Sequence, residues 1–289
     1  MTDVTSIVLA FGSAFLFGLA LVLAQVGLRY VAPLAGAAIA IPSSTALFIC
    51  VAPFALAGAT PIWAAVPIFA AIGLMFPGTV TLLTFAANRA LGPVMTGTLG
   101  NLAPLFAVAL AFVILGEALR MLQLGGLLAI VAGIVILTIT SGGDSGRWRS
   151  WYLLLPLAAA ALRGVTQATV KLGLDIWPSP FAAALIGYIV STVVVLTVAR
   201  VGTGRFVADA PARGLLWFAA VGWCNGLAAL LMYAALANGS VALVSPLVAT
   251  YPLVTVVGST LLFGKVEGGA QLALGVALTV VGVALLIAC

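Results

Sequence analysis

Apolar stretches dominate the chain, and short polar turns cut them into ten segments: residues 5–28, 34–57, 63–87, 92–115, 119–140, 151–174, 180–200, 214–237, 240–263 and 268–288. Each has about the 20 residues that a helix rising 1.5 Å per residue needs to cross a ~30 Å hydrocarbon core. Barrel strands would alternate polar and apolar positions, and these runs do not. Unpaired backbone groups are too costly in lipid, so each segment is expected to be a helix. Connectors are as short as GATP (58–61) and ANG (237–239); only 141–150 and 201–213 are long enough to be loops.

Composition turns this pattern into a class. Of 289 residues 64% are hydrophobic and 6% charged, where a soluble domain carries roughly 25% charged residues. Hydrocarbon must be the solvent, and an all-α integral membrane protein is expected. The first apolar run lacks a preceding Lys or Arg and is too long for a signal sequence, so it reads as a retained span. Cys50, Cys224 and Cys289 are too few and too scattered for a disulfide framework or a zinc site.

The chain also repeats itself. FAA (85–87), PLF (104–106), LGE (115–117) and Gln123 recur as YAA (233–235), PLV (252–254), FGK (263–265) and Gln271, each 148 residues later. Toward the front of each half the offset is 146 residues, where Gly18, Gly27 and Leu28 fall on Gly164, Gly173 and Leu174. The expected units are residues 1–145 and 146–289, five helices each. Five is odd, so the second copy must enter the membrane from the opposite side. Ten transmembrane helices as two inverted five-helix repeats around a central cavity is the architecture that recurs in secondary transporters.

LGPVMTGTLGNLAPLFAVALAFVILGEAL (91–119) resembles the fourth-helix signature of the EamA-type drug/metabolite transporters. LANGSVALVSPLVATYPLVTVVGSTLLFGKVE (236–267) is similar to its second copy, with Lys265 in place of the usual glutamate. GLDIWPSP (173–180) resembles the family's post-helix stretch. Within the superfamily the ten-helix layout and charge-poor loops are most similar to bacterial aromatic amino-acid exporters. That resemblance implies efflux of aromatic or other amphipathic solutes across a bacterial inner membrane by a multi-pass protein.

Charge narrows the chemistry. All six acids (Asp3, Glu117, Asp144, Asp175, Asp209 and Glu267) lie outside the segments or at their ends, and histidine is absent. Membrane hydrolases need a base, a carboxylate pair or metal ligands, and proton-coupled pumps need an intramembrane titratable group. No enzyme, cofactor or metal site is therefore expected, and facilitated diffusion or exchange is favoured over proton coupling.

Arg163 is the exception to the hydrocarbon. It sits twelve residues from Trp151, about 18 Å of helical rise. Placing a bare guanidinium there costs about 3 kcal/mol on insertion scales. Its partner must be water, carbonyls at a broken helix, or a substrate carboxylate clamped bidentately. Arg163, Gln167 and Lys171 recur every fourth residue along one helical stripe. Their first-half equivalents are Phe17, Leu21 and Gln25, so one wall would be polar and the other apolar. Lys171 alone reads better as an inter-helix bond or a snorkelling end.

Pro77, Thr81, Thr84 and Asn88 form a second one-sided stripe, serving either a cavity wall or bonds to their own helix. Asn225 is a further cavity candidate. Pro104 and Pro252 stand at matching positions and would kink helix interiors, with Asn101 and Tyr251 beside the kinks. The expected substrate-binding set is Arg163, Gln167, Asn101, Tyr251, Asn225, Thr81 and Phe17, with Pro104, Pro252 and Pro77 as hinges. Gly125, Ala129, Gly133, Gly275 and Gly282 read as scaffold packing rather than a dimer face.

The basic residues crowd connectors 1–2, 3–4, 5–6, 7–8 and 9–10, which the positive-inside rule would make cytoplasmic, with both termini outside. The net charge of +5 is the same bias and does not argue for nucleic acid. The expected partners are a small-molecule substrate and membrane lipid; a monomer is expected, with a dimer as the alternative. Drug or metabolite efflux and a non-transporting membrane scaffold are the competing functions.

Overall fold

The computed structural model describes residues 4–91, 96, 99–117, 120–140, 150–204, 210–263 and 269–288. Lys265 and four of the six acids (Asp3, Asp144, Asp209 and Glu267) lie outside them, as do the side chains of Asn88 and Arg89. The described residues hold helices and no strand. In chain order the apolar helices are α1 (Val4–Gly27), α2 (Pro33–Ala55), α3 (Trp63–Thr84), α4 (Ala103–Leu115), α5 (Met121–Ile136), α6 (Trp151–Ile176), α7 (Pro180–Gly202), α8 (Ala212–Asn238), α9 (Val241–Gly258) and α10 (Ala273–Ile287). Seven are long and apolar enough to cross a membrane; α4, α5 and α10 are shorter.

The bundle is apolar outside, and its largely apolar interior also buries hydroxyl groups. Met121, Phe54 and Trp63 are 87%, 83% and 76% exposed, whereas Ser13, Ser44, Thr45 and Ser191 are buried. Water could not solvate such a surface, and lipid can. The buried hydroxyls tie helices together: Ser13 donates to the Ala228 carbonyl at 2.8 Å, Ser44 to Gly222 at 2.6 Å and Thr45 to Tyr188 at 3.0 Å.

Pairing crosses the chain's midpoint throughout. α1 packs on α8 and α9, α2 on α7 and α8, α3 on α6 and α7, α4 on α6, and α5 on α10. Each pairing recurs, or maps onto itself, when the two halves are exchanged. Glycine permits the closest approaches. A Cβ at Gly126 would lie 2.8 Å from the Gly282 carbonyl oxygen, and one at Gly133 would lie 2.6 Å from that of Gly275. Gly125 has nothing within 4 Å, so the expected role of that residue in packing passes to Gly126 beside it.

Two helices are interrupted at matching places. Residues 101–102 form a turn ahead of α4, and 249–250 form one inside α9. The Leu102 amide donates to Leu99 and that of Leu105 to Leu102, at 3.2 and 3.0 Å; Thr250 to Leu247 and Leu253 to Thr250 repeat the pattern at 3.2 and 2.9 Å. The expectation of kinks within continuous helices is corrected here. Pro104 and Pro252 stand in the first turn of helices that restart at Ala103 and Tyr251. A first-turn residue needs no N–H partner, so proline fits there without losing a bond.

α3 is irregular in its own way. Phe76 has extended dihedrals (φ −135°, ψ 136°) inside a π-helical stretch, Leu74–Thr79, that contains Pro77. Ser191 of α7 splints this break, donating to the Gly73 carbonyl at 2.6 Å and accepting from the Gly78 amide at 3.3 Å. Beyond α4, Gly116 adopts a left-handed φ of 66°, and Glu117 reaches the start of α9. Its two oxygens accept from the Val241 and Ala242 amides at 2.9 and 3.1 Å. Ser240 caps the same turn, accepting from the Leu243 amide at 3.3 Å. A carboxylate on exposed helix amides is favoured by both hydrogen bonding and the helix dipole.

Candidate functional site: a cavity with a polar floor and an apolar mouth

The interruptions open a cavity of about 290 Å³ between the halves, near the lower end of the roughly 300–1,000 Å³ range of small-molecule sites. Arg163, Gln167, Asn101, Tyr251, Asn225, Thr81, Phe17, Pro77 and Pro104 all line it. Pro252 does not; it holds the helix start that presents Tyr251. Lys171 leaves the stripe of Arg163 and Gln167 and donates instead to the Leu236 carbonyl at 2.8 Å.

One end of the cavity, toward the α1–α2 turn, is lined by Leu28, Pro33, Gly36 and Phe218. The Phe218 ring nests where Gly27 and Gly36 lack a Cβ. The other end reaches Met232, Gln167, Tyr188 and Ser245. Glu117 lies beyond that end, so its bond to α9 joins the halves on the side away from the mouth.

Close packing places Arg163. A Cβ on Gly164 would lie 2.6 Å from both the Ala107 amide nitrogen and the Phe106 Cβ. That approach sets α6 against α4 and carries the neighbouring guanidinium over the 101–102 break. Arg163 Nη1 is 3.7 Å from the Cβ position of Gly100. Its Nε is buried without a hydrogen-bond partner. Among the described residues no carboxylate lines the cavity.

Other groups on the wall are engaged. The Tyr251 hydroxyl donates to Asn101 Oδ1 at 3.2 Å, joining the two interrupted helices. Tyr251 also meets Phe17 edge-on, ring centroids 6.5 Å apart at 62°. Thr81 and Thr84 donate to their own helix, to Pro77 and Val80 at 2.6 and 2.7 Å. They line the cavity and bond backward at once, so the two readings of that stripe coexist.

Tyr188, Ser245, Thr166 and Phe218 also line the cavity and were not anticipated. Ser245 had one sequence cue, a polar residue beside a proline in an apolar run. Tyr188 looks like any aromatic residue of a span. Trp177, next to the end of α6, is buried against Phe69, ring centroids 6.0 Å apart.

No curated protein matches the chain. A solved crystal structure matches the fold with a TM-score of 0.79 at 20% identity, covering 98% of this chain and 96% of that one. The EamA-like transporter family model matches twice, over residues 4–139 and 149–288. Two matches that together span nearly the whole chain leave little room for a non-transporting scaffold. The chain belongs to the EamA-like transporter family and is a multi-pass membrane transporter.

Proposed function

We propose that this transporter exports amphipathic solutes, with aromatic and other hydrophobic amino acids as the favoured cargo, across a bacterial inner membrane. The halves 1–145 and 146–289 act as inverted repeats that rock about the central cavity, giving alternating access. The twofold family match, the paired interruptions and the recurring helix contacts support that symmetry, as does the resemblance to the aromatic amino-acid exporter YddG. With no histidine in the chain and no acid among the described lining residues, facilitated diffusion or exchange fits better than proton coupling.

The observation that carries the cargo assignment is Arg163, a half-buried residue whose buried Nε has no hydrogen-bond partner, at a cavity whose mouth is apolar. A solute carboxylate supplies the charge that the protein withholds, and its side chain lies toward Leu28 and Phe218. Hydrophobic cations, the alternative cargo, would face the guanidinium with no anion to offset it.

The test is efflux of preloaded amino acids from liposomes containing the purified protein, with and without a pH gradient. Phenylalanine and tryptophan should leave faster than from empty liposomes, at a rate the gradient does not change. Absence of flux for every amphipathic solute tried would overturn the reading.

A further inference from the structure

We infer that Tyr188, Ser245 and Gln167 form an amine-binding subsite at the floor of the cavity, so that the cargo must present a protonated primary amine together with its carboxylate. This rests on the amino-acid reading above and narrows it.

Five buried side-chain polar atoms lack a hydrogen-bond partner among the described residues, and four of them belong to residues that line the cavity: Arg163 Nε, Gln167 Oε1, Tyr188 Oη and Ser245 Oγ. The residues Gln167, Tyr188 and Ser245 are only 8%, 2% and 1% exposed. Buried polar groups are nearly always paired, because an unpaired one forfeits its bonds to water. Ser6 Oγ excepted, the other buried hydroxyls follow that rule both beside the cavity and away from it. Ser13, Ser44, Thr45 and Ser191 all engage carbonyls of neighbouring helices, and Thr166 returns its hydroxyl to Leu162 at 2.8 Å. The missing bonds therefore concentrate around the cavity.

The four atoms divide by chemistry. A guanidinium only donates, so Arg163 suits a carboxylate and repels an amine. Gln167 Oε1 only accepts, and the two hydroxyl oxygens can accept. Three acceptors match the three N–H donors of an ammonium group. A carboxylate alone would leave Gln167 Oε1 unpaired. An amine alone would meet Arg163 with no anion between them. A molecule carrying both groups meets all four.

The subsite is tested by competition. Unlabelled L-phenylalanine, 3-phenylpropionate and 2-phenylethylamine are titrated against exchange of labelled phenylalanine in liposomes. The wild-type chain and the near-isosteric variants Tyr188→Phe and Ser245→Ala are compared. Each analogue should need at least about tenfold more than phenylalanine for half-inhibition, since a site built to bond a polar group discriminates strongly against its absence. Each variant should bind phenylalanine roughly tenfold more weakly while 3-phenylpropionate is unaffected.

Equal competition by phenylalanine and 3-phenylpropionate in the wild type would overturn the subsite and leave the carboxylate role of Arg163 standing. Variants that exchange phenylalanine as well as the wild type would do the same. No exchange by the wild type would sink both readings. The wild-type comparison decides the matter even if a variant fails to fold.

Discussion

At the scale of single residues the cavity is organised by what it withholds. One half-buried guanidinium stands beside an interrupted helix, and among the described residues no acid lines the cavity with it. Arg163→Leu should abolish most phenylalanine exchange without reducing the amount of folded protein in the membrane. Arg163→Lys should recover only part of the rate, because an ammonium cannot present the planar fork that engages both carboxylate oxygens. Labelled exchange in liposomes reads both. Asn101→Ala removes the acceptor of the Tyr251 hydroxyl. Its expected outcome is impaired exchange with insertion intact.

Helices show which parts of the design the sequence made readable. Ten apolar runs stood out because each is long and closed by turn residues, and only the sixth carries a charge in its interior. Phe17 with Arg163 and Leu21 with Gln167 were readable as pairs because the internal offset carries one helix onto the other; all four line the cavity. The interruptions were legible only as prolines, since a proline marks both a kink and a helix start. The hydrogen bonds that distinguish these depend on Leu102 and Thr250, which carry no mark in sequence. Tyr188 was missed because its orphaned hydroxyl depends on which neighbours fail to reach it.

Gly126→Ala should destabilise the fold by about 1–3 kcal/mol, because the new methyl meets the backbone of α10. Gly125→Ala, one residue away with open space around it, should be neutral or slightly stabilising. Thermal unfolding in detergent separates the two. Glu117→Ala should cost about 1–3 kcal/mol by leaving the first amides of α9 without their acceptor. Glu117→Gln should fall between, since its amide oxygen still accepts one bond.

For the whole molecule the proposed inversion makes a prediction about sides. In a background lacking Cys50, Cys224 and Cys289, Thr60→Cys and Ala208→Cys sit in the second and seventh connectors. They should react with an impermeant thiol reagent from opposite faces of the membrane, and reaction from one face only would break the symmetry. The tie from Glu117 to α9 then has a kinetic meaning. Moving 148 residues along the repeat puts Lys265 in the place of Glu117 and Pro93 in the place of Val241. At those positions the anion is replaced by a cation, and the first of the two N–H groups has no counterpart. The bonds from Glu117 should therefore make the molecule dwell longer with the Glu117 face shut. Half-saturation by phenylalanine should therefore differ between the two sides of the bilayer, and Glu117→Ala should bring the two values together.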